Sequence, residues 1–172
     1  VSVLPPAGHP VCARPRHCRH DVPLTDHNFL QENAVDRIFY GRIPIKKAAS
    51  FTFFSTVECV LHLKAIPVFV DINLQNYTID LNDFKRKANS KIKAAIPVHL
   101  FGNDAQITEI RKICSEKNIK VIEDVAQAFG SQDEKNNFLG SIGDIGAFSF
   151  FPSKTLGGIG DGGCITTDNY QI

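Results

Sequence analysis

The stretch Asp104-Ala105-Gln106-Ile107-Thr108-Glu109-Ile110-Arg111-Lys112-Ile113-Cys114-Ser115-Glu116-Lys117-Asn118-Ile119-Lys120-Val121-Ile122-Glu123-Asp124 changes its period once. Ile107, Ile110, Ile113 and Cys114 recur at spacings of 3, 3 and 1, which is one face of an amphipathic helix over 104–117. Lys120 to Asp124 then reads as a buried strand that ends in two acids. Toward the amino end the same alternation continues: a helix near 55–63, an apolar strand 67–71, a helix 81–88 that Asp80 can cap, and a strand 92–99. Toward the carboxyl end, a turn-rich connection through 133–137 leads to strands at 144–151 and 163–167. Apolar strands alternating with amphipathic helices predict an α/β fold, a mostly parallel sheet with helices on both faces, from Ser50 onward.

Residues 1–49 read differently. They hold six of the nine prolines and four of the six histidines, but of the twelve glycines only Gly8 and Gly41. Apart from a possible short helix at 28–39, no sustained period of 3.6 or 2 runs through them, so they are left unassigned. The whole chain of 172 residues, with 43% hydrophobic residues and a net charge of +1, has the composition of an ordinary globular domain. The charge balance asks for neither nucleic acid nor a membrane surface. The longest apolar runs, 94–98 and 146–151, fall far short of the ~20 residues that span a bilayer, and the first residues given do not pair a charged stretch with an apolar run. A cytoplasmic location is the expectation. Five scattered cysteines fit reduced thiols better than a disulfide framework.

Open sheets of this kind bind ligands outside the carboxyl ends of their strands, and Asp124 stands at such an end. A buried carboxylate there needs a positive partner, for which a protonated pyridine nitrogen is suitable; the competing reading is that Asp124 caps the following turn. Gln127 is ambiguous by itself. Lys154 lies 30 residues after Asp124, beyond the apolar run 148–151 and in a loop containing Gly157, Gly158, Gly160, Gly162 and Gly163. Most lysines are merely solvated, but glycines let backbone approach a ligand closely, and a lysine among them can condense with an aldehyde. Ser149 sits five residues before that lysine. An acid at a strand end, this serine, this lysine and the glycines are the parts needed to hold pyridoxal phosphate.

In order and spacing, five linked blocks resemble the DegT/DnrJ/EryC1/StrS sugar aminotransferase family, with fold type I pyridoxal phosphate architecture. The blocks are 50–56 (Ser-Phe-Thr-Phe-Phe-Ser-Thr), 67–71 (Pro-Val-Phe-Val-Asp), 97–102 (Pro-Val-His-Leu-Phe-Gly), 121–130 (Val-Ile-Glu-Asp-Val-Ala-Gln-Ala-Phe-Gly) and the run from Gly140 to Gly163. The resemblance implies that Lys154 bonds to the cofactor and shuttles a proton, and that Asp124 pairs with the pyridinium nitrogen. It likewise implies that Ser149 binds the cofactor phosphate, that Gln127 contacts the cofactor near its ring, and that Phe53 stacks on the pyridine face. Core packing is the competing role for Phe53, and the expected one for Phe51 and Phe54. The implied reaction moves an amino group, from glutamate, onto the keto carbon of a nucleotide-linked ketosugar in a homodimeric enzyme. Lysine rather than histidine at 154 favours transamination over the family's dehydratase branch.

Two departures set further expectations. The Gly-Thr or Gly-Ser turn that in the family supplies backbone amides to the phosphate is not found in residues 1–49, and Ala49 stands where the family has proline. A frame change or misplaced start near residue 49 is the preferred explanation, with a genuine new segment as the alternative. The family's chains run to roughly twice this length and add a small carboxyl-terminal domain. The large domain is therefore expected to be partial and turnover weak or absent; a non-catalytic or degenerate relative is the other reading.

Weaker signals have bland explanations. Gly158-Ile159-Gly160-Asp161-Gly162-Gly163 matches the dinucleotide fingerprint, but strand-like Cys164-Ile165-Thr166-Thr167 follows it where a helix is required. His9, Cys12, His17, Cys18 and His20 lack the spacing of a structural zinc site. Lys85-Arg86-Lys87 reads as a solvated helix face, and His99 as a hydrogen-bonded structural residue rather than a base.

Overall fold

A computed structural model describes residues 45–169. Six strands form one sheet in the order β2-β1-β3-β4-β5-β6, with β1 at Ile45–Ala49, β2 at Ile66–Val70, β3 at Ile92–Ile96, β4 at Lys120–Asp124, β5 at Ile145–Ser149 and β6 at Gly163–Thr166. All neighbours pair in parallel except β5 and β6, which are antiparallel. Three helices connect the parallel strands: α1 (Ser55–His62), α2 (Leu81–Lys87) and α3 (Ile107–Glu116). The α/β expectation holds, and the two core clusters show both faces covered. Val121 of β4 packs in one cluster with Phe84 of α2 and with Ile107, Ile110 and Ile113 of α3. Ile122, the next residue, packs in the other with Cys59 and Val60 of α1, as the alternation of a strand requires.

Local chemistry explains the boundaries. Asp80 caps α2 as expected, its Oδ1 accepting the Asp83 amide at 2.7 Å. Pro67 is tolerated inside β2 because β2 is an edge strand. The basic run on α2 is only partly a solvated face: Arg86 and Lys87 both pair with the buried carboxylate of Asp83. Among the described residues Cys59, Cys114 and Cys164 form no disulfide with one another, and no helix is long and apolar enough to cross a membrane. The unassigned helix at 28–39 and the His/Cys group at 9–20 lie outside the described residues.

One boundary moves. Residues 45–49, which the sequence left in the unassigned segment, form β1, and β1 lies inside the sheet between β2 and β3. It was hidden because interior parallel strands normally read as apolar runs, whereas this one is Ile-Lys-Lys-Ala-Ala. Both lysines are fully enclosed. Lys47 reaches the α2 side, where Nζ donates to the Phe84 carbonyl at 2.8 Å and lies 4.6 Å from the centroid of the Phe84 ring. Burial pulls its pKa down from 10.5 to about 8, against the opposing influence of Cys114 and Asp83.

Below pH 8 both the folded and the unfolded chain keep the Lys47 proton; between about 8 and 10.5 only the unfolded chain does, so stability should rise with pH across that window. Lys47→Met removes the buried amine and keeps an unbranched side chain. We expect it to raise stability at pH 7 by on the order of 1–3 kcal/mol and to flatten the rise above pH 8. Melting curves of both proteins from pH 7 to 10 measure this, and a variant less stable than the parent at pH 7 contradicts it.

Candidate active site

The chemistry gathers at the carboxyl edge of the sheet, beginning with Asp124. Its side chain is 3% exposed; Oδ2 accepts a hydrogen bond from the Thr56 hydroxyl at 2.9 Å, and Oδ1 accepts the Ala126 amide at 3.1 Å. Thr56, in the first turn of α1, is fully buried and shares a second hydroxyl contact with Thr52 at 3.0 Å. The Asp124 backbone is held as firmly as its side chain. Its amide donates to Pro97 O at 2.9 Å and its carbonyl accepts the His99 amide at 3.0 Å, so pairing continues beyond the end of β3. The Ala126 contact shows that the expected turn-capping does occur, alongside the Thr56 bond that orients the acid.

Ser149 ends β5. Ala147 is the register partner of Asp124 on that strand, so Ser149, two residues on, shares its face one step closer to the edge. Its hydroxyl is buried and accepts the Phe151 amide at a long 3.4 Å. The chain then turns, with the Lys154 amide donating to Phe151 O at 2.8 Å, and doubles back so closely that a Cβ on Gly157 would lie 2.4 Å from Pro152 O. Only glycine permits that approach. The turn sets Lys154 Nζ 5.9 Å from the centroid of the Phe53 ring.

Phe53 is 70% exposed, which excludes core packing as its role. Core packing fails for Phe51 and Phe54 as well. Both are exposed, and Phe51 packs against Tyr77 with ring centroids 6.1 Å apart. Gln127 is turned toward the loop after β3, where its Oε1 accepts the Phe101 amide at 3.0 Å. The structure thus brings Asp124, Ser149 and Gln127 to adjoining strand ends and places Lys154 over Phe53. Lys154 is joined to neither Asp124 nor Ser149 by a hydrogen bond or ion pair.

Three contributors were missed by the sequence reading or given no role in the site. Thr56 was quoted within a motif but assigned nothing, and only its place on the buried face of α1 shows what it does. Glu123 was noticed solely as the neighbour of Asp124. His99 was expected to be structural and is: fully buried, its Nε2 is 3.0 Å from Glu123 Oε2. The dinucleotide fingerprint is also settled, since 158–163 leads into the strand β6 where that fingerprint requires a helix. Among the described residues no cluster of His, Cys, Asp and Glu is arranged to hold a metal.

Pyridoxal phosphate makes specific demands: a buried acid for its ring nitrogen, an apolar surface for its ring, a donor for its phosphate and an amine for its aldehyde. Asp124, the uncovered ring of Phe53, the buried Ser149 hydroxyl and Lys154 above Phe53 answer them, so the residues present fit the group. Bound there, the cofactor supplies an aldehyde and an electron-withdrawing ring.

The mostly parallel sheet, with ligand-type side chains at its carboxyl edge, has the fold of the type I pyridoxal phosphate-dependent transferases. Within that class, the chain belongs to the DegT/DnrJ/EryC1/StrS aminotransferase family, whose model matches residues 48–172. It is 43% identical over 123 residues to a UDP-N-acetyl-3-dehydro-alpha-D-glucosamine 3-aminotransferase of Acidithiobacillus ferrooxidans, covering 72% of this chain and 33% of the relative. It is 34% identical over 157 residues to a dTDP-3-amino-3,4,6-trideoxy-alpha-D-glucose transaminase of Micromonospora megalomicea subsp. nigra, covering 91% of this chain and 42% of the relative. Among solved structures, an aminotransferase from Psychrobacter cryohalolentis superposes with a TM-score of 0.81 at 30% identity, over 86% of this chain and 37% of that one. The chain therefore spans well under half the length of the relatives it matches.

Proposed function

We propose that this chain carries the cofactor-binding part of an aminotransferase that moves an amino group from glutamate to the keto carbon of a nucleotide-linked ketosugar. The observation that carries the reading is the placement of Lys154 Nζ over the exposed face of Phe53, at the same sheet edge as the buried Asp124. Lys154 would supply the amine that holds the cofactor by its aldehyde, and would hold and move the proton of the donor's α-carbon. Asp124, oriented by Thr56, holds a proton on the ring nitrogen. Phe53 covers one face of the ring, and Ser149 and Gln127 secure the phosphate and the ring edge. The names of the relatives support a sugar acceptor activated by a nucleotide. A homodimer in the cytoplasm, and weak turnover by this chain alone, belong to the same proposal.

The test is a chimera in which residues 45–172 replace the matching segment of the Acidithiobacillus ferrooxidans relative. With ¹⁵N-glutamate and a UDP-linked 3-ketosugar, the expected product is a ¹⁵N-labelled amino sugar detected by mass spectrometry. A chimera that folds and retains pyridoxal phosphate yet labels no UDP-, dTDP- or GDP-linked ketosugar refutes the transfer reading.

A further inference from the structure

Glu123 and Asp124 are consecutive and point to opposite faces of the sheet. Asp124 meets Thr56 of α1; Glu123 meets the segments packed on the α3 side. Glu123 is fully buried and accepts four donors. Its Oε2 takes His99 Nε2 at 3.0 Å and the Gly140 amide at 2.7 Å, while its Oε1 takes the amides of Ile142 at 2.8 Å and Gly143 at 2.5 Å. Burial alone pushes the Glu123 pKa up, but the hydrogen bonds from His99 Nε2 and from the Gly143 and Gly140 amides outweigh it and hold the carboxyl below its usual range. The tautomer of His99 is fixed by the backbone. The Ala105 amide donates to Nδ1 at 3.1 Å, so the ring proton sits on Nε2 and points at the carboxylate.

The pair therefore ties together three segments: the 99–105 loop after β3, the end of β4 and the 140–143 turn before β5. One of these, the end of β4, carries Asp124, and another, the 99–105 loop, is bonded to both Asp124 and Gln127. The His99 amide bonds the Asp124 carbonyl, and the Phe101 amide bonds Gln127.

We propose that Glu123 and His99 form a positioning pair that fixes Asp124 and Gln127 for the cofactor from the opposite face of the sheet; this rests on the cofactor reading above. The carboxylate is required because it offers only acceptors. A glutamine at 123 has one acceptor oxygen, and whichever way its amide is turned the NH₂ group faces two of the four donors.

The test compares the full chain with Glu123→Gln and with the milder His99→Asn, whose side-chain oxygen can still accept the Ala105 amide while the link to Glu123 is lost. Pyridoxal phosphate is titrated into each at a temperature where circular dichroism shows it folded. The expected result is a Kd raised about tenfold, the factor given by the loss of about 1.4 kcal/mol, with a displaced pH midpoint for the absorbance of the bound cofactor. Amide exchange at Phe101 and Asp124 should accelerate by at least about the same factor. A folded variant with the parent's Kd, midpoint and exchange rates overturns the proposal, even if its melting temperature has fallen. If the parent itself binds no pyridoxal phosphate, the cofactor reading fails separately, and exchange at Phe101 and Asp124 still decides whether the pair fixes these positions. If Glu123→Gln does not fold, His99→Asn decides the matter by the same three readouts.

Discussion

Lys154→Ala should abolish the borohydride-fixed pyridoxyl label on the peptide that contains residue 154. The parent chain, incubated with pyridoxal phosphate and reduced, is expected to carry that label at near one per chain, and the alanine variant only the background shared by surface lysines. The effect is all-or-none because a covalent bond is lost and the fold is untouched. Lys154 is half-buried in a loop, and its side chain rests beside Phe53 without a hydrogen bond or ion pair that the fold depends on. Lys154→Arg sharpens the experiment. It keeps the positive charge beside Phe53 but cannot give up its proton to act as a nucleophile, so it too should lose the label. Persistence of a stoichiometric label elsewhere in the Lys154→Ala chain would place the reactive amine at another lysine and sink the assignment. Loss in alanine with retention in arginine is chemically excluded for a reduced imine and would expose a labelling artefact.

Gly146→Ala should be the most damaging single methyl in the described core. Gly146 lies in β5 between β4 and β6, and a Cβ there would sit 2.2 Å from Gly140 O, 2.5 Å from Thr166 Oγ1 and 2.7 Å from Gly140 Cα. Two of those three atoms are backbone, so no flexible side chain can yield. Overpacking of this kind costs about 1–3 kcal/mol, and the hydrogen bond from Thr166 Oγ1 to Gly140 O adds roughly 1 kcal/mol if it breaks. A loss of about 2–4 kcal/mol corresponds to a fall in Tm of roughly 4–16 °C for a chain of this size. The damage would reach the site, because Gly140 also donates to Glu123. Calorimetry of the two proteins decides it; a Tm within a degree or two of the parent would mean that the strand can shift without cost.

These two sites were legible in the sequence to different extents. Asp124 and Ser149 could be picked out because their residue types are costly where they stand, and Lys154 because of the glycine-rich loop that holds it. A charged or hydroxylated residue at the end of an apolar strand invites a chemical explanation, and the spacing of the blocks identified which one. Phe53 was legible only through resemblance. Its exposure, like that of Phe51 and Phe54, depends on the path of a loop that no periodicity encodes. Gly146 read as one more residue of a strand; the reason it is glycine lies in Gly140 and Thr166, six residues before it and twenty after.

Periodicity by itself determined the α/β class, the order of elements from α1 to β6 and the burial of Ile107, Ile110, Ile113 and Cys114, because each of these depends on neighbours within one or two turns of chain. Tertiary structure alone decided that Ile45–Ala49 is a strand inside the sheet, since Lys46 and Lys47 hide it from any pattern of apolar residues and only pairing with β2 and β3 on either side holds it there. It also decided that Thr56 orients Asp124 from 68 residues away, and that Glu123 and His99, 24 residues apart, meet as a buried pair. Contacts of that separation depend on how strands are ordered and registered in the sheet. A buried polar group is satisfied by whatever that order brings beside it, and so its partner cannot be read from its neighbours in sequence.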